Sequence, residues 1–588
     1  MAPAFLGVEK SLRGNRWELP EVDDRTGLAL AQRYGLPEIV GRLMAARGID
    51  IDNAEDFLNP VLKHHLPDPS HLNDMNAAAE RLAAAVQGGE AIGVFGDYDV
   101  DGATSSALLQ RFFNAVGART EIYIPDRMRE GYGPNLPGLL ALRDRGAAIV
   151  ITVDCGITAF EPLDGAAQEG LDVVVVDHHV AEPRLPAATA VVNPNRLDDD
   201  SPHGSLAAVG VAFLLVVAVN RALRDAGWYA ERQEPNLLQW LDLVALGTVC
   251  DVVPLNGLNR TLVTQGLKVM GRRGNAGIAA LADVAGINET LEAYHAGFLL
   301  GPRVNAGGRV GESWLGAALL STSDTEEAQA YAIRLDAYNQ ERRAIETVCL
   351  EQAIEQVERD GMTDGLVYAS SADWHPGVIG IVAGRLRERY NRPACVVAME
   401  DGVGKGSGRS VRGVDLGAAV IAARQSDLLL NGGGHKMAAG FTVAQGKEDA
   451  FRAFLAERIA SDAGPDGITP SLRLDGALDA AGASIDLVHA MERLAPFGAG
   501  NARPRFALPS ARVLNADVVG ANHVRCFLGG EGRGRLKAIA FRAVGEPLGD
   551  ALLKSTGLPM HLAGQIKIDR WQGRESVQFI IDDGAVQA

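Results

Sequence analysis

At 588 residues the chain is too long for one hydrophobic core and should fold as several domains. Apolar residues make up 47% and charged residues 22%, an ordinary globular balance. With no apolar run near about 18 residues, no membrane span is expected. The net charge of −18 excludes a uniformly basic nucleic-acid binder, but it is unevenly spread. Residues 501–588 carry 12 Lys and Arg against 8 Asp and Glu, a net of +4, which leaves −22 for the first 500. An acidic body with a mildly basic tail suits a polyanion held by metal ions, local arginines and that tail. Met1 to Trp17 lacks the hydrophobic region of a signal peptide, and Cys155, Cys250, Cys349, Cys395 and Cys526 show no CxxC spacing. Both features fit a reducing cytoplasm.

Residues 1–60 alternate helical patterns with turn residues and close on Leu58-Asn59-Pro60. An Ala-rich helix from Leu72 to Gly88 leads into a strand that begins near Ala91 and runs into Asp97-Tyr98-Asp99-Val100-Asp101-Gly102. An extended Asp-x-Asp-x-Asp puts three carboxylates on one side of the chain, because strand side chains alternate. Unpaired, they repel and are costly to bury; a divalent cation is the simplest remedy. A calcium-binding EF-hand loop is excluded, since its twelfth position, counted from Asp97, is Leu108 and not Glu. Solvated surface aspartates are the remaining plain reading.

Next come a helix (Thr104 to Val116), a strand (Glu121 to Pro125), a loop to Pro134, and a helix (Leu136 to Arg145). A strand (Ala148 to Asp154), a helix (Phe160 to Gln168) and a strand (Asp172 to Asp177) follow. Continuous apolar strands alternating with helices predict a parallel α/β sheet covered on both faces, with ligands beyond the carboxyl ends of the strands. Those ends are Asp97, Asp99 and Asp101, then Asp154, then Asp177-His178-His179, while a helix from Leu237 to Val249 delivers Asp251. Leu206 to Val219 reads as a core helix. Oxygen-rich ligation with one His selects Mn or Mg over structural zinc, and two such ions form the clamp used in phosphoryl-ester hydrolysis.

Thr325 to Arg359 lacks Gly and Pro and reads as one long helix bridging two domains. A second α/β unit follows, with strands at Gly365 to Ala369 and Ala394 to Met399 around a helix from Gly377 to Tyr390. The glycine-rich stretches Gly402 to Gly408 and Asn431 to His435 read as tight loops. The first lacks the Gly-x4-Gly-Lys-Ser/Thr order of a phosphate-binding loop, so no nucleotide cofactor is expected. Gly464-Pro465-Asp466-Gly467 reads as a linker. Five β-patterned segments near 506–514, 523–527, 536–541, 560–568 and 576–581 suggest a small OB-fold barrel, a platform for single strands. The expected domains are therefore 1–60 (a helical extension), 61–324, 325–360 (the connecting helix), 361–464 and 465–588.

Gly96-Asp97-Tyr98-Asp99-Val100-Asp101-Gly102, Val153-Asp154-Cys155-Gly156 and Asp177-His178-His179 resemble the signature motifs of the DHH phosphoesterase superfamily. Leu246 to Asp251, Gly301 to Arg309, Trp374 to Gly380, Gly432 to Gly440 and Ala495 to Asn501 resemble the RecJ family within it, from about residue 55 onward. The resemblance implies an α/β DHH domain and a smaller DHH-associated α/β domain joined by the long helix, followed by the OB-fold. It implies a single-stranded-DNA-specific 5′-to-3′ exonuclease of DNA repair and recombination that uses two ions, Mn2+ or Mg2+. Carried over residue by residue, it makes Asp99, Asp101, Asp154, His178 and Asp251 metal ligands, with Asp154 bridging. Asp97 becomes an accessory carboxylate, Asp177 an orienting group, and His179 the group facing the scissile phosphate. Arg127, Ser407 and Arg409 would hold a terminal phosphate, and Arg303, Asn305, Arg309 and His435 would make further phosphate contacts. Tyr132 has two readings, a base-stacking ring or a packed loop residue. The implied partners are single-stranded DNA, single-strand-binding protein and a helicase, with no membrane. Two rivals remain: a DHH phosphodiesterase acting on short oligonucleotides or dinucleotides, and a non-catalytic single-strand-binding scaffold.

Overall fold

The computed structural model describes residues 3–362, 365–464, 467–530, 534–554, 557–571 and 573–587, so residues 465 and 466 of the expected linker lie outside it. The chain divides into two units, one of residues 66–253 and 262–468, the other of 1–65, 254–261 and 469–588.

The first unit is built on apolar runs that form β1 (Ala91–Gly96), β2 (Thr120–Tyr123), β3 (Ala147–Val153), β4 (Asp172–Val176) and β5 (Ala190–Val192). They pair in the order β2-β1-β3-β4-β5, all parallel. Helices α1 (Val100–Ala115), α2 (Leu136–Asp144) and α3 (Phe160–Gln168) alternate with the strands. Phe95, Leu139, Leu142, Val150, Leu163 and Val175 form one buried cluster between sheet and helices. On α1 packs α4 (Ala208–Asp225), which begins two residues later than the expected core helix, runs past its end and is apolar nearly all round. The register matters most. Gly96 pairs with Val153, Val153 with Val176 and Val176 with Val192, so four strands stop on one line. One step beyond that line stand Asp97, Asp154, Asp177 and Asn193.

The Asp-x-Asp-x-Asp stretch is not extended as expected. β1 stops at Gly96, and Asp99 is the N-cap of α1, its Oδ1 accepting the N–H groups of Asp101 at 2.9 Å and Gly102 at 3.1 Å. The first N–H groups of a helix need an acceptor, and Asp99 supplies it, so the chain turns helical before the expected Thr104.

After α5 (Leu241–Cys250) and α6 (Gly301–Val310), α7 (Thr325–Asp360) runs unbroken for 36 residues. Its N-cap Asp324 accepts the N–H groups of Glu326 and Glu327. It leads to β6 (Val367–Ser371), α8 (Ile379–Tyr390), β7 (Ala394–Glu400), β8 (Val403–Arg409), α9 (Leu416–Gln425), β9 (Asn431–His435) and β10 (Ala438–Ala444). The sheet order is β9-β10-β8-β7-β6, with β6 and β7 parallel and the rest antiparallel. Both glycine-rich stretches expected as loops are therefore strands. Close packing explains the glycines of β8: a Cβ at Gly406 would lie 2.0 Å from the Phe441 ring, and one at Gly408 would lie 2.6 Å from Leu416. Glycine supplies space for neighbouring side chains, which a turn signal does not distinguish.

In the second unit the five expected β segments are β11 (Phe506–Val519), β12 (His523–Gly529), β13 (Arg535–Ala540), β14 (Pro559–Trp571) and β15 (Arg574–Val586). They pair in the order β11-β12-β13-β15-β14, and β14 pairs back to β11, so the pairings form a ring. Val513, Val524, Leu528, Leu562, Ile566 and Phe579 share one core with Leu30, Val40, Leu43 and Met44. The short strand Arg16–Glu18 pairs in parallel with Ser471–Arg473, and Trp17 Nε1 donates to Asp583 Oδ2 at 3.2 Å. Among the described residues no helix is long and apolar enough to cross a membrane.

Candidate active site

The shared stopping line of β1, β3 and β4 opens into a cavity of about 250 Å3. Asp97 and Asp154 line it from the strand ends and Asp99 from the N-cap of α1, with His179 beside them and Asp251 from the C-cap of α5. Tyr98, Arg127, Tyr132, Asn305 and Arg309 complete the lining. Three overlapping groups bring possible ligand atoms within 4.8 Å of one another: Asp97, Asp99 and Asp154; Asp154, His178 and His179; and Asp101, His178 and Asp251.

His178, Asp101 and His179 are held from behind. His178 Nδ1 lies 3.0 Å from the carbonyl of Leu206, an acceptor, so Nδ1 carries the proton and Nε2 turns its lone pair toward the carboxylates. Nε2 stands 3.3 Å from Asp154 Oδ1 and 4.0 Å from Asp101 Oδ2. The Asp101 oxygens accept the N–H groups of Ala208 at 2.6 Å and Val209 at 2.9 Å, at the positive end of α4. Asp177 points away from the cavity. Its Oδ1 accepts His179 Nδ1–H at 2.7 Å and the backbone N–H groups of both histidines, and its Oδ2 accepts Ile157 N–H. Two residues that sequence reasoning missed finish this loop. Asn193 Nδ2 donates to the His179 carbonyl at 2.9 Å, and Asn195 Nδ2 donates to the His178 carbonyl at 2.5 Å. The Asn-Pro-Asn step at the end of β5, on the same sheet edge, was the available signal.

Burial, then mutual repulsion, pushes Asp97, Asp101 and Asp154 well above the usual carboxylate range and Asp251 to about 7. Burial, reinforced by the charge of His179, lowers His178 and favours its neutral form. For His179 burial is outweighed by the hydrogen bond and charge of Asp177, which raise it to about 9. The charge pattern asks for cations among the carboxylates.

On the phosphate side, Arg127 Cζ lies 5.0 Å from the Tyr98 ring centre. Arg309 Nη1 donates to the Gly377 carbonyl at 3.1 Å, and burial, then Arg127, lowers its pKa to about 10. Ser407 Oγ accepts Arg409 Nη1 at 3.1 Å on β8, and both groups face Gly380 in the first turn of α8. Ser407, Arg409, Arg303 and His435 do not line the cavity. Arg303 bonds Asp336 Oδ1 of α7 at 2.8 Å and the Leu299 carbonyl, and His435 stands exposed on the edge strand β9. Tyr132 packs in its loop, its hydroxyl donating to the Asp154 carbonyl at 3.1 Å and its ring edge-on to Tyr98 and His179, while the residue stays 54% exposed.

Residues 91–248 match the N-terminal domain of the DHH family, 363–461 the DHHA1 domain and 474–583 the RecJ OB domain. The single-stranded-DNA-specific exonuclease RecJ of Dickeya dadantii is 37% identical over 563 residues, 93% of this chain and 96% of that protein. The chain belongs to the RecJ family. The crystal structure of Thermus thermophilus RecJ with Mn2+ superposes with a TM-score of 0.80 at 29% identity, covering 97% of this chain and 80% of that one. The same RecJ with Mg2+ gives 0.76 at 28% identity, covering 97% and 79%.

The donor set of this RecJ-family chain fits such ions. Asp97 Oδ1, His178 Nε2 and Asp251 Oδ2 are buried without a hydrogen-bond partner among the described residues, and all three belong to the ligand groups above. A buried polar atom left unmatched is costly, and a cation satisfies it. Carboxylate oxygens with one neutral imidazole are the donors that Mn2+ and Mg2+ take.

Proposed function

We propose that the chain is a single-stranded-DNA-specific 5′-to-3′ exonuclease of DNA repair and recombination, hydrolysing phosphodiester bonds with two Mn2+ or Mg2+ ions. The observation that carries this is the set of three buried, unmatched ligand atoms at one sheet edge, in a chain of the RecJ family. Asp99, Asp101, Asp154, His178 and Asp251 would hold the ions; Asp154 and His178 each belong to two of the ligand groups. When bound, the ions make water nucleophilic near neutral pH and neutralise charge on the attacked phosphate. His179, kept cationic by Asp177, donates to a phosphate oxygen as negative charge builds there. Asp97 adds an accessory carboxylate.

Arg309 and Asn305, which line the cavity, hold the scissile phosphate against the carboxylates; Arg127 of the same lining, with the bonded pair Ser407 and Arg409 on β8, grips the terminal phosphate. A groove between the DHH and DHHA1 parts of the first unit would admit one strand and exclude duplex by width. The ring of strands supports the single strand by stacking and charge; Arg535 Cζ lies 4.0 Å from the Phe527 ring centre. Cytoplasmic work alongside single-strand-binding protein and a helicase follows from the family resemblance.

The test uses single strands labelled at either end, with and without 5′-phosphate. Label at the 5′ end should be released first, and Asp154→Ala should abolish cleavage while sparing DNA binding. Unchanged turnover in that variant removes the site assignment. Faster turnover of dinucleotides than of long strands favours the small-substrate phosphodiesterase.

A further inference from the structure

The helical run that supplies Asn305 and Arg309 begins earlier than the cavity needs. Residues 293–310 are helical without a break, with one π-helical turn at Ala296–Leu300. Tyr294, Phe298, Asn305 and Arg309 recur along it at helical spacing and share one face, even after the added rotation of the π turn. The far half of that face lines the cavity; the near half is aromatic. Phe298 is 70% exposed and Tyr294 54% exposed, an expensive place for two rings with no role. Their rings stack on one another, centres 5.2 Å apart and planes 25° apart.

The pair is rigidly mounted. Tyr294 packs edge-on against the buried His295, which accepts the Glu292 N–H and contacts Glu289. The π turn is fixed to the end of α5, where Cys250 Sγ donates to the Ala296 carbonyl at 3.4 Å. A Cβ at Gly301 would lie 2.4 Å from that sulfur, so the two helices touch beside Asp251. Val252, next after Asp251, is 69% exposed and held at φ 62°, a strained conformation for a β-branched residue.

We propose that Tyr294 and Phe298 are a base-stacking platform for single-stranded DNA extending from the metal cavity. The proposal rests on the nuclease reading and adds to it where the strand lies beyond the cut. The rise from Phe298 to Asn305 is about 10 Å, within about three phosphate spacings of a strand. A strand whose phosphate sits at Asn305 and Arg309 is long enough to lay a base on Phe298. Flat exposed rings accept any base, as an exonuclease without sequence preference requires.

The test compares wild type with Phe298→Ala, Tyr294→Ala, Phe298→Leu and Phe298→Trp on a long single strand and on a dinucleotide, with KM and kcat separated. Metal-free binding of the long strand is followed by fluorescence anisotropy. Phe298→Ala should raise KM and Kd for the long strand at least about tenfold, with kcat at saturation kept and dinucleotide KM unchanged. Phe298→Leu should lose as much as Phe298→Ala, because it keeps apolar area without a ring, and Phe298→Trp should recover. Long-strand KM and Kd equal to wild type in both Ala variants would overturn the platform, as would full binding by Phe298→Leu; a surface meant for a protein partner gives the first result. A wild type that cleaves neither substrate would instead overturn the nuclease reading, and the platform with it.

Discussion

His179 Nδ1 and Asp177 Oδ1 are 2.7 Å apart, and Asp177 also receives the backbone N–H groups of Ile157, His178 and His179. One carboxylate thus fixes the position of two histidines without entering the cavity. Asp177→Asn keeps much of the shape but removes the charge that holds His179 cationic. Its kcat should fall about 10–100-fold while Mn2+ affinity changes little, read by initial rates beside calorimetric metal titration.

Metal should stabilise the folded chain strongly, because it joins carboxylates that otherwise repel. Saturating Mn2+ at about 100 times its Kd adds about 2.7 kcal/mol, visible as a rise in Tm over an EDTA-treated sample. Asp154→Ala should show a much smaller rise in the same scanning experiment. An equal rise would place the bound metal elsewhere.

Asp242, buried in the first turn of α5, is the group for a pH test away from the metal ligands. Burial raises its pKa from 3.8 to about 6, against the Leu243 N–H bond and the charge of Arg111. The folded state holds this proton more tightly than the unfolded state. Its contribution is therefore complete below pH 3.8 and is lost as pH climbs through about 6. Asp242→Asn should raise stability at neutral pH by at most about 3 kcal/mol and do little in acid. Denaturant melts at both pH values check the sign.

Gly102 sits where α1 crosses the Asp97 backbone, and a Cβ there would lie 2.4 Å from the Asp97 carbonyl oxygen. Backbone cannot swing aside as a side-chain tip can. Gly102→Ala should cost about 1–3 kcal/mol and displace Asp97 and Asp99, cutting activity more than its loss of Tm explains. Paired melting and rate measurements separate the two effects.

The sheet and its chemistry were legible because apolar runs such as Asp172 to Val176 end abruptly in charged residues. A strand end carries its own address in a parallel sheet. The local course of Asp99 and Asp101 was misread because an aspartate next to a strand end also makes a good helix cap, and only the hydrogen bonds to Asp101 and Gly102 decide. Arg303 belonged to the right motif but faces α7, a choice set by a partner, Asp336, 33 residues away. The strand β8 was hidden by glycine's weak strand preference, which the bulk of Phe441 and Leu416 overrides. The pairing of Arg16–Glu18 with Ser471–Arg473 joins distant parts of the chain and leaves no local trace.

The common finish of Gly96, Val153, Val176 and Val192 makes the sheet intolerant of insertions. Adding a single residue within β3 would swap its inward and outward side chains and carry Asp154 past its neighbours. Length variation in this half of the molecule is therefore expected to collect at the opposite rim, where helices hand back to strands, leaving the chemical rim fixed in length.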